Sequence, residues 1–563
     1  MPNTLLATLI YLLGRSSMWK HCISFFLIQG NLQRLGFVAR FAKSIVMVPA
    51  GYGGVSEFPF LKFAVAVLGV YFVAVLIRGA SRKLPPGPVG FPIIGSVHLL
   101  GPRSHVSLAQ LARKYGAPLM SLYLGQKLFV VASSAEAAME VLKKQDAVFC
   151  SRPPLRGFKV IFPHDVTFAD LTPESNYLRK FIRLHLTTAR SIEAFQHIRV
   201  DEMLQMVRSI VASPRDVVVN LRTSLEVMTA NVLTRSIIGK RFMGRTGLSE
   251  SEKKEIMEFI HIAAEIGECL GAKNPGDLIP ALKLVDWNGL DQRMKNLRRK
   301  MATFLANIVR ERREKSSLGT SNPPGKEMLG VLLDEMENAA AGEKITEDIL
   351  NTIIWESFTA GMETTVLATD WTLAEVLRNP EVLQKCQAEL DAVVGRNRRA
   401  QESDIPDLHY IKAVVKESFR LHPVIPLLIP HYSHDPIKVL GYDIPAHTQL
   451  LINVWAIGRD PKVWADPLKF HPERFLEGPH RETEMFGKSF NLLPFGSGRR
   501  ACMGITLGTL LVEASVVVLL HSFDWILPAE GIDMTEGQGL SVRKNVPACA
   551  FATPRLPPHV YAE

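Results

Sequence analysis

The sequence predicts a mainly α-helical body with a minor β-sheet, preceded by a single N-terminal transmembrane helix. Three observations carry this. Residues 345–380, ITEDILNTIIWESFTAGMETTVLATDWTLAEVLRNP, are apolar on most faces for over thirty residues, the mark of a helix crossing an interior. Short alternating runs at 437–454, among them IKVLGYDI and TQLLINV, have the two-residue period of strands. Residues 58–77, FPFLKFAVAVLGVYFVAVLI, hold one charge, Lys62, in twenty positions, long enough to span a hydrocarbon core of about 30 Å.

The totals narrow the classes. The chain has 563 residues, 47% hydrophobic and 21% charged, an ordinary globular balance with ample material for a large core. Its net charge is +10, which fits a membrane surface or an acidic partner protein. No dense Lys/Arg block with interleaved aromatics appears, so nucleic acid is disfavoured. The six cysteines are widely spaced and form no CxxC pair, which argues against a disulfide framework or a structural zinc site.

In chain order, residues 1–57 come first as an extension. It carries Arg15, Lys20, Arg34, Arg40 and Lys43 and no acidic residue before Glu57. Such composition fits an organelle-targeting peptide, but the serine content is modest, so a non-native or poorly ordered extension ahead of the anchor is preferred. The anchor follows at 58–77. Arg78, Arg82 and Lys83 stand directly after it, while Lys43 and Glu57 cancel on the other side, so the body should face the cytoplasm. Residues 78–95 form a basic, proline-rich hinge read as a stiff spacer. Residues 96–563 form the body. Polar stretches at 243–254 and 313–327 read as surface loops. Thr346 suits the start of the long helix and Asn379-Pro380 its stop. A second helix runs from about Leu408 to His422, before Pro423.

Within the body, PFGSGRRACMG at 494–504 places Cys502 in a loop rich in glycine and arginine, ahead of the nearly uncharged run 505–523. A thiolate is a soft ligand for iron, and on haem iron it favours O–O cleavage. Gly498 and Gly504 would let backbone N–H groups close on the sulfur. Arg500 could reach an anionic group. The following helix would turn its positive end toward the thiolate. AGMETT, Ala360–Thr365, lies mid-helix, where Ala360 and Gly361 would let a planar cofactor approach and Thr364 could loosen the backbone ladder. ESFR puts Glu417 and Arg420 on one helix face, and FHPERF supplies Arg474.

FGSGRRACMG, with Phe495, Gly498, Arg500, Cys502 and Gly504, resembles the haem-binding signature of the cytochrome P450 family. AGMETT, ESFR and FHPERF follow that family's order, and the proline hinge and PHYSHD are similar to plant microsomal members. The resemblance covers residues 84–557. It implies a cytochrome P450-like fold and heme b, with Cys502 as axial thiolate ligand of the iron. It implies Glu363 and Thr364 as proton relay, and Arg179, His431 and Arg500 at the propionates, with Phe495 and Gly504 in the haem loop. Glu417, Arg420 and Arg474 would form a buried ion network. GLSVR, Gly539–Arg543, would shape the substrate pocket. One departure stands out: Ser175 occupies the place of the family's Trp four residues before Arg179, so a propionate donor is missing. Ser175→Trp is then expected to be tolerated and to slow haem loss.

The activity implied is a membrane-anchored monooxygenase that hydroxylates a small apolar, plant specialised-metabolite-like substrate with O2. NADPH would supply electrons through a separate cytochrome P450 reductase, since no dinucleotide fingerprint is evident. The location implied is the endoplasmic reticulum membrane, single-pass, with the catalytic domain cytoplasmic. On the residues alone, two further classes stay open: a haem-thiolate isomerase or dehydratase, disfavoured by the intact Glu363-Thr364 pair, and a non-catalytic haem-binding protein, motivated by Ser175.

Overall fold

The computed structural model describes residues 83–562, apart from 245–246, 273, 285, 287–288, 318–326 and 339–344. The extension and the 58–77 anchor lie outside the described residues.

The proline-rich stretch from Pro85 onward is part of the body and not a free spacer. Its Pro86 carbonyl accepts from Ser121 N–H at 3.1 Å, and its Pro85 carbonyl accepts from Ser121 Oγ at 2.6 Å. Proline removes N–H donors but leaves carbonyls, so the segment adds acceptors along a sheet edge. After α1 (Ser104–Lys114), strands β1 (Leu119–Leu124) and β2 (Lys127–Ala132) form an antiparallel hairpin. Gly125 turns it with φ +61, and a side chain there would meet the Leu278 carbonyl at 2.5 Å.

The helical part begins with α2 (Pro173–Ile182) and α3 (Gln196–Val211), then short β3 (Val219–Asn220) and α4 (Leu221–Ile238). Gly239 ends α4 in the left-handed conformation, giving its N–H to Arg235 O, as a glycine C-cap does. Helices α5 (Glu250–Gly271) and α6 (Leu290–Ser317) follow. They correct the reading of 250–254 and 313–317 as loops, while 243–244 and 247–249 are non-helical as expected and 318–326 lie outside the described residues. Ser249 caps α5 in a reciprocal box with Glu252, and Lys253 pairs with Glu250 at 2.6 Å. A charged, solvent-facing helix turn and a polar loop have the same composition, and only the capping serine separates them.

Helix α7 (Glu347–Arg378) matches the expected span. Thr346 Oγ1 accepts from Ile349 N–H at 3.3 Å at its start. Next come α8 (Pro380–Val393) and α9 (His409–Leu421), then strands β4 (His431–Ser433), β5 (Ile437–Val439), β6 (Tyr442–Ile444) and β7 (Thr448–Ile452). The main sheet has the order β1-β2-β7-β4, with β7 parallel to β2 and antiparallel to β4, while β5 and β6 form a separate hairpin. Helix α10 (Ile505–Ser522) precedes β8 (Phe523–Ile526) and β9 (Cys549–Pro554), which pair with each other, β9 also meeting β3. By length and composition α10 could cross a membrane, yet Leu511, Val516, Leu519 and Leu520 are each at most 1% exposed, packed with Leu373 and Val376 of α7. It is a core helix. Burying each such side chain stabilises by about 1.5–3 kcal/mol. A second core joins α5, α6 and α7 through Phe259, Met294, Phe304 and Trp355. The described chain is thus mainly helical with small sheets, and α7 and α10 run through its interior.

Candidate active site

The loop before α10 is closed by its own backbone. Cys502 N–H donates to Phe495 O at 3.0 Å, and Ala501 N–H to Gly498 O at 3.1 Å. The Phe495 ring lies 5.4 Å from that of Phe419 on α9, which ties the loop to the core. Gly498 has φ +73, and a side chain on it would meet the Leu142 carbonyl at 2.4 Å and Asp146 Oδ1 at 2.7 Å. It therefore lets the loop dock on a neighbouring turn and does not close on the sulfur. Gly504 takes that second role: its N–H pulls the Cys502 thiol pKa down.

Cys502 is exposed, yet protein atoms surround it densely enough that burial pushes its thiol pKa up, against the Gly504 N–H and the Arg179 guanidinium, which pull it down. A group that is both accessible and enclosed lies at the wall of an internal recess. Mid-helix exposure on α7 points the same way. Ala360 and Glu363 are exposed although residues 352–356 and 365–377 on either side are buried. Thr364 Oγ1 donates to Ala360 O at 2.7 Å, while α7 remains helical through this turn. The role expected of Gly361 changes. A side chain there would stand 3.1 Å from Leu233 Cδ1 of α4, so this glycine sets a helix–helix approach, and Ala360 is the small residue that faces open space.

Three arginines gather beside the loop. Arg500 donates Nε to Cys150 O at 2.6 Å, one terminal nitrogen to Val166 O at 3.4 Å and the other to Ala169 O. Arg179, on α2, donates to Val166 O at 3.2 Å and Ala501 O at 3.3 Å. Arg152, absent from the sequence reading, is 5% exposed and donates to Thr167 O at 3.1 Å, Ile429 O at 2.8 Å and Pro430 O at 2.9 Å. Burial lowers all three pKa values, and repulsion among the arginines adds to it for two of them: Arg152 falls well below the ordinary guanidinium value and Arg500 to about 10. His431, buried on β4, gives its Nδ1–H to Phe149 O at 2.9 Å. Burial and the Arg152 cation keep it neutral by holding its pKa well below the ordinary value.

Carbonyl oxygens satisfy these donors but do not neutralise them, and the nearby acids are few. Asp170 accepts from Arg152 N–H at 3.1 Å. Asp165 is itself paired with Glu356 of α7, a carboxyl that sequence reading also missed. Glu356 Oε2 accepts from Val166 N–H at 3.1 Å. Burial, then the like charge of Asp165, raises Glu356 well above the ordinary carboxylate value, so this carboxyl is a poor counter-charge for the arginines. Val166 thus bonds Glu356 through its N–H and two arginines through its carbonyl. The only signal for Arg152 or Glu356 was a charge inside an apolar stretch, VFCSRPP or IIWESF.

Surplus buried cations, an accessible soft ligand in an enclosed recess and a small-residue helix turn open to it are a donor set that fits a haem: iron for sulfur, propionates for guanidinium. Ser175 is also accounted for. It is 4% exposed. Its Oγ accepts from Thr172 N–H at 2.9 Å and donates to Asp170 O at 2.7 Å, and its own N–H donates to Thr172 Oγ1 at 3.1 Å. It is half of a capping box, not a shortened propionate donor. A Trp there would lose that box and add bulk at a buried position, so Ser175→Trp is now expected to destabilise α2.

The Glu417 network is buried as expected. Arg420 grips Glu417 with Nε at 2.7 Å and a terminal nitrogen at 2.8 Å, and Arg474 Nε reaches Glu417 Oε1 at 3.0 Å. Backbone carbonyls of Gly458, Pro467 and Ala465 take further guanidinium donors at 2.5, 2.7 and 2.9 Å.

Comparison with known proteins adds the family. Residues 85–549 match the family described as Cytochrome P450. A flavonoid 3',5'-hydroxylase of Crocosmia x crocosmiiflora is 37% identical over 89% of this chain and 97% of its own length. A flavonoid 3',5'-hydroxylase of Petunia hybrida is 40% identical over 86% of this chain and 94% of its own. A flavonoid 3'-monooxygenase of Oryza sativa subsp. japonica is 37% identical over 89% and 98%. Among solved structures, a zebra fish cytochrome P450 with progesterone superposes with a TM-score of 0.67 at 28% identity, over 80% of this chain and 99% of that one.

Proposed function

The chain belongs to the cytochrome P450 family and is a monooxygenase of it; on that premise we propose that it hydroxylates a small, flat phenolic substrate of the flavonoid class. The observation that carries the reading is the identity of 37–40% to flavonoid hydroxylases along 86–89% of the chain. The family uses haem-thiolate iron with electrons from a reductase partner, and the haem, when bound, supplies the activation of dioxygen.

This chain's residues would divide the remaining work. Cys502 would hold the iron, aided by the Gly504 N–H at its sulfur. Arg152, Arg179, Arg500 and His431 would hold the propionates, and Phe495 would seat the loop. Glu363 would carry a proton in from the accessible side, and Thr364 would hold one at Oγ1, now bonded to Ala360 O. The enclosed recess keeps bulk water from the reacting carbon. Electrons would come from an NADPH-dependent reductase docked on this basic protein, net charge +10. The 58–77 helix would anchor it in the endoplasmic reticulum with the body cytoplasmic.

The test is product formation by the reductase-supplied holoenzyme on a panel of flavanones, flavones, hydroxycinnamates, terpenoids and fatty acids. Ring-hydroxylated flavonoid products support the reading, and exclusive turnover of terpenoids or fatty acids overturns it. Cys502→Ala is expected to abolish the thiolate-type CO spectrum in a protein whose far-UV circular dichroism is unchanged. Cys386→Ala should leave the spectrum intact, since Cys386 is buried at 0% exposure in the α8 core.

A further inference from the structure

The hairpin at 535–545 lies along α7, held to it by three side-chain hydrogen bonds. Glu363, Asp370 and Trp371 share one face of α7, because seven residues complete about two turns. Ser541 Oγ donates to Glu363 Oε2 at 2.8 Å, Val542 O accepts from Trp371 Nε1 at 3.0 Å, and Lys544 Nζ donates to Asp370 O at 3.0 Å. Three residues of extended chain and seven of helix both advance about 10 Å, so Ser541 and Lys544 can reach Glu363 and Asp370 at the two ends of the contact, while the long Trp371 side chain reaches back to Val542 between them.

The far end of this strap is rigid. Lys544 and Asp370 are both fully buried and meet at 3.1 Å. Arg222 of α4 holds the other Asp370 oxygen at 2.8 Å, and Ala548 N–H donates to Asp370 at 3.2 Å. Breaking such a pair leaves an uncompensated buried charge. The near end is open. Gly539 and Leu540 line a recess with His105, Pro426 and Leu428, Leu540 is 40% exposed, and Glu363 is exposed.

Left alone, the Glu363 carboxylate has several rotamers, and ordering it carries an entropic cost. A like charge also faces it from α4. Burial holds the Glu226 carboxyl above its ordinary pKa against Arg222 and Arg543, and Asp370 and Glu363 add to the rise. The bond from Ser541 is the one hydrogen bond to the Glu363 side chain among the described residues. We infer that Ser541 is a positioning residue for proton delivery: its hydroxyl fixes one Glu363 oxygen and ties that carboxylate to the hairpin tip that lines the recess with His105 and Leu428. The inference rests on the proposed role of Glu363 as proton carrier. It adds that the carrier's orientation is set from the C-terminal hairpin, 178 residues away in the chain.

The experiment compares wild type, Ser541→Ala, Ser541→Thr, Glu363→Gln and the Ser541→Ala/Glu363→Gln double variant as reductase-supplied holoenzymes. The readings are peroxide released per NADPH consumed, with and without the flavanone naringenin, and the solvent deuterium isotope effect on NADPH oxidation. Both are readable whether or not naringenin is turned over. Ser541→Ala should raise peroxide per NADPH by roughly 3- to 10-fold, the scale of one hydrogen bond, and enlarge the isotope effect. The CO spectrum and Tm should not change. Ser541→Thr, which keeps the hydroxyl, should restore the wild-type ratio, and Ser541→Ala should add nothing on top of Glu363→Gln. A wild-type ratio in Ser541→Ala beside a raised ratio in Glu363→Gln overturns the inference and spares the Glu363 reading. A wild-type ratio in Glu363→Gln overturns both. A raised ratio in Ser541→Thr equal to that of Ser541→Ala assigns the effect to packing and overturns the positioning role.

Discussion

Two buried arginine clusters sit in this molecule, and they are completed differently. Around Glu417, two guanidiniums share one carboxylate through bonds of 2.7, 2.8 and 3.0 Å, and their remaining donors find carbonyls of loops that the network pins down. Around Val166, three guanidiniums face carbonyls, two carboxyls whose pKa values burial raises, and the partly exposed Asp170. A buried charge without a counter-charge is costly. The first cluster is therefore finished by the chain itself, and the second is built to receive anions from outside. One holds the fold around the site, and the other holds what enters it.

Breaking the first cluster should have the largest effect. Glu417→Ala leaves Arg420 and Arg474 buried without a carboxylate, a loss of about 3–5 kcal/mol. It should appear as failure to accumulate folded protein or a large drop in denaturant midpoint, with haem present or absent. Arg500→Leu should behave oppositely. It removes one of three repelling cations, so the haem-free protein should unfold at the same or higher denaturant concentration. Haem transfer to an apo-globin acceptor should quicken roughly 10- to 100-fold, as expected for a charge-assisted hydrogen bond of about 1.5–3 kcal/mol. If both substitutions destabilise the haem-free protein equally, the distinction between the clusters fails.

Ser175→Trp sharpens the comparison at the edge of the second cluster. Losing the capping box and overfilling a 4% exposed site should cost roughly 2 kcal/mol, read as a lower denaturant midpoint and faster haem loss. Unchanged stability would show that α2 can start without Thr172 and Ser175 paired.

The smallest effect concerns Glu513 on α10, a half-buried carboxyl with only the cations Lys412 and Lys416 to offset desolvation. Burial pushes its pKa from 4.5 to about 7, against the pull of those lysines. The folded state therefore binds this proton more tightly than the unfolded state. That contribution to stability is fully present below about pH 4.5 and is lost as pH rises through about 7. Glu513→Gln should flatten the fall in Tm between pH 5 and pH 8. An equally steep fall in the variant would assign that slope to other groups.

Much of this was legible in the residues. Thr346 and Asn379-Pro380 bound the long helix as read, because caps and prolines act on bonds within one turn. Cys502, Arg500 and Phe495 lie within one loop, so their grouping needs no knowledge of the fold. Glu417 and Arg420 share a helix face, and Arg474 could be joined to them by motif. Other features had no local signature. The turn of charge at 250–254 has loop composition until Ser249 is seen to cap it. The glycine of AGMETT was assigned to cofactor approach, whereas its neighbour is Leu233, 128 positions earlier in the numbering.

What the sequence by itself determined was the helical class, the family and the thiolate loop, since periodicity, caps and a compact motif depend on residues a few positions apart. What only the tertiary structure decided was pairing across long separations: Arg152 with Ile429 and Pro430, Glu356 with Val166, Ser541 with Glu363, and Lys544 with Asp370. No period or motif relates such positions, because a hydrogen bond acts over about 3 Å, and only the path of the folded chain brings its ends that close.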